Sequence, residues 1–364
     1  MTSAPVSLCG AARDRGLAQA AAASADDIAR VRRAVEERVA AGRDLLQRED
    51  HRTLMAGCVD AADVHAPASR AEVRGLAEGF GLAEDDLLAF LHMPVLLDTA
   101  KARADASVED GCSTWAAVDG SGRPWVGKNR DYGGDHAALQ RLFRHDGPDL
   151  PAGPMLCLGS LGAPGAFSSG INARGLALVD SQVPTADHGP GLCRYFLMSE
   201  ILGRCATVAE ALALIDATPH AGGGCLTLAD ASGAMAAVEL GHAAVRVETA
   251  RQGWLARTNH HLSDALSGRL IERPGEPMGR STRERLETIR AAFATGVPKD
   301  VPAFAHALMA SHDDDAPADG QGLCRHGQDG DSRTISTVLF EPSARRLYVS
   351  MGPPCSTPWN RHAV

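Results

Sequence analysis

The grouping of strand-like and helical runs constrains this chain's fold more than any other feature, because the two kinds do not alternate one by one. At Cys112 the texture changes. CSTWAAV and PWVGKN are short strand-like runs separated by the turn formers Asp119, Gly120, Ser121 and Gly122, which is a hairpin signal. The pattern recurs in LALVDSQV after Asn172-Ala173-Arg174-Gly175, in CLTLAD and AMAAVEL around Ser232-Gly233, and in TISTVLF and RLYVSM around Glu341 to Arg345. Before Cys112 the chain reads as mostly helical. Ile28, Val31, Val35, Val39 and Leu46 recur at roughly helical spacing among charges between Asp27 and Glu49, and a second helix is expected around Ala71 to Phe80. A stop at Gly81 is followed by an acidic restart. Helical periodicity returns in RYFLMSEIL, VAEALALI, RERLETIRAAF and AFAHALMA, so antiparallel sheet covered by helices, a layered α+β domain, is the expected architecture. The acidic, glycine-containing stretch His312 to Gly330 reads as a mobile surface loop.

Composition narrows the function. With 364 residues and 45% hydrophobic content the chain can bury a substantial core without covalent staples. Its nine cysteines are an odd number without a CxxC pair or zinc-ligand spacing, and read as reduced thiols of a cytoplasmic protein; no metal and no cofactor are expected. Arg13 and Arg15 interrupt the alanine-rich start and Asp26 and Asp27 follow it, so neither a signal segment nor a membrane span is expected. A net charge of -9 argues against a nucleic-acid partner and leaves small molecules as the expected ligands.

The most informative local feature is Asp110-Gly111-Cys112-Ser113-Thr114, where a glycine precedes a thiol at the boundary between the two textures. Glycine leaves its own carbonyl unobstructed. Attack by the Cys112 sulfur on the Gly111 carbonyl, followed by hydrolysis, would free the Cys112 α-amino group. Such an amine has an ordinary pKa of about 7.7 to 8.0 and can take the thiol proton without a histidine. A Gly-Cys pair taken alone is also what a buried thiol beside a turn looks like.

The surrounding segments extend the pattern. Gly111-Cys112-Ser113-Thr114 is followed by Gly127-Lys128-Asn129-Arg130-Asp131-Tyr132; AEVRGLAEGFGLAEDDLLAF lies upstream, and INARGLAL, RTNHHL, STRERLETI, RTISTVLF and RLYVSMGPPC lie downstream. In this order, over about three quarters of the chain from roughly Gly57 to Cys355, the sequence resembles the acyl-coenzyme A:6-aminopenicillanate acyltransferase (isopenicillin N acyltransferase-like) family. That family shows a self-cleaving Gly-Cys-Thr-Thr start and a Gly-x-Asn-x-Asp-aromatic hairpin end. Ser113 replaces the usual threonine but keeps a hydroxyl, and Arg130 stands where aromatic residues commonly flank the aspartate.

The resemblance implies a four-layer αββα sandwich of the N-terminal-nucleophile type. Residues 1–111 would form a helical segment that becomes the smaller chain, and 112–364 the catalytic domain, with the two chains staying associated in one compact unit. It implies Cys112 as nucleophile and α-amino base, Asn259 in Arg257-Thr258-Asn259-His260-His261 as oxyanion donor, and Asp131 with Arg333 near the nucleophile. Asn129 is expected to bond backbone beside the nucleophile and Ser332 to contact precursor peptide or substrate, with Ser113, Thr114 and Tyr132 in support. His260 and His261 are strand neighbours facing opposite ways and do not suggest joint chelation. The Gly222-Gly223-Gly224 run reads as a tight turn. The expected substrate is a small amide or an acyl thioester carried by coenzyme A or a carrier protein; whether the acyl group passes to water or to an amine stays open. A papain-like thiol hydrolase and an unprocessed binding protein of the same fold are the competing functions.

Overall fold

The computed structural model describes residues 4–100, 111–133, 136–271, 277–312, 322–327 and 332–364. Strand β1 (Val6–Cys9) opens the chain, followed by α1 (Ala12–Ala21), α2 (Ala25–Ala41), α3 (Arg43–Gln47), α4 (Glu49–His65), α5 (Pro67–Phe80) and α6 (Glu84–Thr99). Next come β2 (Cys112–Val118), β3 (Pro124–Tyr132), α7 (His136–Leu139), β4 (Gln140–Asp146), β5 (Met155–Ser160), β6 (Ser169–Asn172) and β7 (Ala177–Ser181). Helices α8 (Arg194–Arg204) and α9 (Val208–Asp216) precede β8 (Cys225–Ala229), β9 (Met235–Leu240), β10 (Val245–Ala250) and β11 (Gly253–Arg257). The last third holds α10 (Asp264–Ser267), α11 (Pro277–Ala292), α12 (Val301–Met309), β12 (Arg333–Glu341), β13 (Arg346–Ser350) and β14 (Asn360–Ala363).

Local chemistry sets several boundaries. Ser24 caps α2 through a reciprocal capping box with Asp27, and this satisfies two donors of the first turn. Pro67 opens α5, and Gly81 closes it in the left-handed region at φ 63°, where the Leu82 N–H returns to the Ala77 carbonyl. The predicted helix from Asp27 to Glu49 is broken at Gly42, so that Leu46 falls in the separate α3.

The strands form two sheets. One has the order β1-β4-β5-β6-β7-β8-β9-β10 and the other β11-β2-β3-β12-β13-β14. Alternation along β2 sends Ala116 and Val118 into the apolar layer between the sheets, with Leu156, Val179 and Phe340, and sends Trp115 and Ala117 to the opposite side. There they pack on Leu286 and Ile289 of α11, Phe293 just past its end, and Leu308 of α12. Any side chain at Gly127 would collide with the Trp115 ring, so the glycine lets the indole lie across β3. On the other flank, helices α1, α2, α4, α5, α6 and α8 share a core with Phe143 and Cys157 of the first sheet. Helix, sheet, sheet, helix is the expected four-layer sandwich.

The segment before Cys112 is not purely helical. Val6–Cys9 pairs in parallel with Phe143–Asp146, making β1 an edge of the first sheet. The stretch from His312 to Gly330 lies largely outside the described residues; within 322–327, Leu323 and Cys324 are buried, against the expectation of a surface loop.

Candidate active site

Cys112 is the first residue of β2 and pairs with Arg130 on β3. Its side chain shares the inter-sheet face with Thr114, whose hydroxyl meets Thr227 of the opposite sheet at 3.0 Å and donates to the Arg257 carbonyl at 2.9 Å. The thiol opens onto a cleft whose lining includes Lys128, Arg130, Tyr132, Phe167, Asp180 and Arg194.

Both sides of the Gly111–Cys112 peptide are held. The Asp131 N–H donates to the Gly111 carbonyl oxygen at 2.8 Å, and the Cys112 N–H donates to Asn259 Oδ1 at 2.9 Å. Asn259 is fixed in turn, since its Oδ1 also accepts from Arg285 Nη2 at 2.8 Å and its Nδ2 donates to the Gln182 carbonyl at 2.8 Å. Two donors facing Oδ1 settle which way the amide points. Its backbone N–H donates to Thr282 Oγ1 at 2.7 Å.

Asp131 is fully buried, and its Oδ1 accepts from Thr334 Oγ1 at 2.7 Å while Oδ2 has no hydrogen-bond partner among the described residues. Burial pushes its carboxyl above the ordinary aspartate range, against the opposing pull of Arg325, Arg285 and Lys128. A Cβ at position 111 would sit 2.7 Å from Asp131 Oδ2 and 2.9 Å from Arg325 Nη1, which gives a steric reason for glycine before the thiol. The strand register sets Thr334 opposite Asp131 and Arg333 opposite Tyr132. The cation facing the aspartate from this side is therefore Arg325, where the sequence pointed to Arg333.

The supporting residues divide between the two faces of the sheet. Asn129 clamps β3 to the helical layer, donating to the carbonyls of Met309 at 2.9 Å and Leu323 at 2.6 Å and accepting from Thr337 at 2.6 Å. Ser113 faces the same way and accepts from Arg285 Nη1 at 3.0 Å. Tyr132 lies under the Arg130 guanidinium, 5.9 Å from its ring centre. Ser332 is buried with a hydroxyl that has no partner among the described residues. His260 bonds Thr282 and His261 bonds the Gly224 carbonyl, so the adjacent histidines have separate partners. Gly222, Gly223 and Gly224 all have positive φ and lead into β8, as a tight turn requires.

Several site residues were not singled out from the sequence. Arg285, 1% exposed, donates through Nη1 to the Cys112 carbonyl at 2.6 Å as well as to Ser113 and Asn259. The signal for it was present: Ser281, Arg285, Ile289 and Phe293 follow at i, i+4 spacing, which puts an arginine on the buried stripe of α11 and its end. Lys128 bonds Asp180 at 2.6 Å, and Arg194 bonds the other oxygen of the same carboxylate at 2.6 Å. Burial alone would raise the Asp180 pKa, but these two cations overcome it and hold the carboxyl below the usual range. Arg194 also donates to the Gly223 carbonyl and to Gln182. Burial works against its charge, and Asp180, with smaller contributions from Tyr195 and Cys112, more than offsets that.

A two-sheet sandwich between helical layers, with a cysteine opening β2 and its N–H held by an asparagine, defines a four-layer αββα protein with a thiol at its cleft. More particularly, the chain belongs to the acyl-coenzyme A:6-aminopenicillanic acid acyl-transferase family, whose model matches residues 118–355. The matched span begins at the end of β2, just past Cys112. Among solved structures, a mutant conjugated bile acid hydrolase from Clostridium perfringens aligns at 12% identity with a TM-score of 0.42, covering 70% of this chain and 97% of that one. Penicillin V acylase from Agrobacterium tumefaciens aligns at 15% identity with a TM-score of 0.37, covering 69% and 84%. A search of curated proteins gives no match. No helix among the described residues is long and apolar enough to cross a membrane.

Proposed function

We propose that the chain cuts itself between Gly111 and Cys112 and that Cys112, then an N-terminal residue, is the nucleophile of amide hydrolysis or acyl transfer. The observation that carries this reading is the double grip on one peptide bond, with Asp131 N–H on its carbonyl and Asn259 Oδ1 on its nitrogen. Attack of Cys112 Sγ on the Gly111 carbonyl carbon puts negative charge on an oxygen that already accepts from Asp131 N–H, where a fixed donor is worth about 3 kcal/mol of barrier. The C–N bond breaks, its electron pair and the thiol proton go to the Cys112 nitrogen, and a thioester remains. Water hydrolyses the thioester, leaving the Gly111 carboxylate and restoring the thiol.

In the matured enzyme the α-amine takes the Sγ proton while Asn259 Oδ1 holds the amine in place, and Arg285 holds Asn259. The Asn259 amide has two N–H donors and gives one to Gln182, so the second serves as oxyanion donor to a substrate carbonyl in the cleft. The acyl-Cys112 thioester then passes its acyl group to water or to an amine. Phe167, Tyr195 and Pro94 offer an apolar wall for the acyl chain. Among the described residues, Arg130, 5% exposed, has hydrogen bonds to the neutral oxygens Gln140 Oε1 and Ser160 Oγ alone, both at 3.2 Å. A buried cation without a carboxylate favours a substrate carrying an anionic group near its acyl part. The smaller chain stays bound after the cut, because β1 belongs to the first sheet and α1 to α6 share its core.

Intact-mass spectrometry of the purified protein and of Cys112→Ala tests the reading. Fragments Met1 to Gly111 and Cys112 to Val364, seen only when Cys112 is present, are the expected result. A single uncut chain in both samples would refute it.

A further inference from the structure

Away from the cleft, four donor side chains converge: His312 just beyond α12, Cys324 and His326 in the 322–327 segment, and Cys355 beyond β13. Their ligand atoms all lie within 4.8 Å of one another. His326 Nε2 is 3.0 Å from His312 Nε2, 3.2 Å from Cys355 Sγ and 3.5 Å from Cys324 Sγ, and the two sulfurs are 3.6 Å apart. A tetrahedral zinc ion with Zn–S of about 2.3 Å and Zn–N of about 2.0 Å requires edges of about 3.8 Å between sulfurs, about 3.3 Å between nitrogens and about 3.5 Å for mixed pairs. Four of the six edges fall within about 0.3 Å of that shape, and the two between His312 and the sulfurs lie within 4.8 Å, so a modest turn of the exposed His312 ring closes the tetrahedron. Two thiolates and two imidazoles are also the donor set that selects zinc over harder cations.

We propose that His312, Cys324, His326 and Cys355 form a structural Zn²⁺ centre. The sequence expectation of no metal rested on the absence of a CxxC spacing; here the ligands come from three separate stretches, and only folding brings them together. The centre ties the end of α12 and the segment after β13 to the short stretch that feeds the active site. In that stretch the Cys324 N–H donates to the Ser311 carbonyl at 3.0 Å, and the Leu323 carbonyl accepts from Asn129 at 2.6 Å. Arg325 N–H donates to Thr334 Oγ1 at 2.8 Å, the hydroxyl that bonds Asp131. The ion therefore fixes the position of Arg325 beside Asp131 and Gly111 from outside the cleft. Zinc replaces the two thiol protons, which leave to solvent, and the two thiolates balance its charge.

The test is metal analysis of the full-length purified protein, with Cys355→Ser and His312→Ala as variants because both residues are exposed and their loss leaves the core intact. The expected result is about one zinc per chain in the parent protein and at least a tenfold lower content in each variant under the same chelator wash. Cobalt loaded in place of zinc should give a tetrahedral d–d spectrum with a thiolate charge-transfer band, and Cys355→Ser should lose much of that band. Zinc-free protein with Cys324 and Cys355 joined in a disulfide by peptide mapping overturns the proposal. So does a variant that keeps full zinc, or copper or iron found where zinc is expected.

Discussion

Replacing Arg285 by lysine tests whether the arginine aligns the nucleophile or merely supplies charge. Besides Ser281 Oγ on its own helix at 3.3 Å, the guanidinium reaches the Cys112 carbonyl at 2.6 Å, Asn259 Oδ1 at 2.8 Å and Ser113 Oγ at 3.0 Å. Lysine keeps the positive charge but is a point donor on a flexible stem and cannot reproduce the planar fork. Losing two charge-assisted bonds of about 1.5–3 kcal/mol each removes about 3–6 kcal/mol of interaction. If about half of that restrains Asn259 and Cys112 in the reacting arrangement, the barrier rises by about 1.5–3 kcal/mol and self-cleavage slows by roughly 10- to 150-fold. The assay needs no substrate: freshly synthesised chain is sampled over time and the fraction cut between Gly111 and Cys112 is read by intact mass. Circular dichroism on the same samples establishes that the variant is folded. Cleavage within about threefold of the parent rate in a folded Arg285→Lys protein would show that the fork does not align the site.

Two further outcomes follow from buried charges. Arg130→Met should raise KM for acyl amides that carry a carboxylate by about tenfold or more while leaving uncharged analogues nearly unchanged, as steady-state kinetics on the matched pair would show; equal effects on both would remove Arg130 from substrate recognition. Glu72, buried against Arg15 and His145, has its carboxyl pushed by burial from the usual 4.5 to about 7. The folded state therefore holds a proton that the unfolded state releases between those values, so stability falls as pH rises through this window, by up to about 3 kcal/mol above pH 7. Glu72→Gln should be more stable than the parent at pH 8 and nearly equal to it at pH 4; parallel denaturation curves with no pH-dependent gap would contradict the assignment.

The sequence showed the parts of this fold whose chemistry is local. Gly81 ends α5 because a left-handed cap needs no partner elsewhere, and the β2–β3 hairpin is announced by its turn residues. Strands that owe their existence to a neighbour were not legible. Val6–Cys9 is too short to stand out and becomes a strand only by pairing with β4, and β4 itself carries Arg141, Arg144 and Asp146 in a pattern that resembles a charged loop. The site follows the same division. Cys112 and Gly111 were visible as a motif, but whether Thr334 or Arg333 faces Asp131 depends on a one-residue register that includes a bulge between Thr334 and Ser336. Periodicity places Arg285 on a buried face and cannot say that acceptors from Cys112, Ser113 and Asn259 await it there. The convergence of Cys324, Cys355 and two histidines is wholly a product of tertiary structure.

The edge strand β1 has a consequence for the history of the molecule. Before the Gly111–Cys112 bond is cut, Val6–Cys9 and the helices behind it find the first sheet as part of one chain, at a rate independent of concentration. After the proposed cut, the same contacts hold together two separate polypeptides. Unfolding of the matured protein then releases fragments whose reunion is bimolecular, so recovery from denaturation should depend on protein concentration while that of Cys112→Ala should not. On this account the active form is assembled once, from a precursor, and persists because it unfolds slowly.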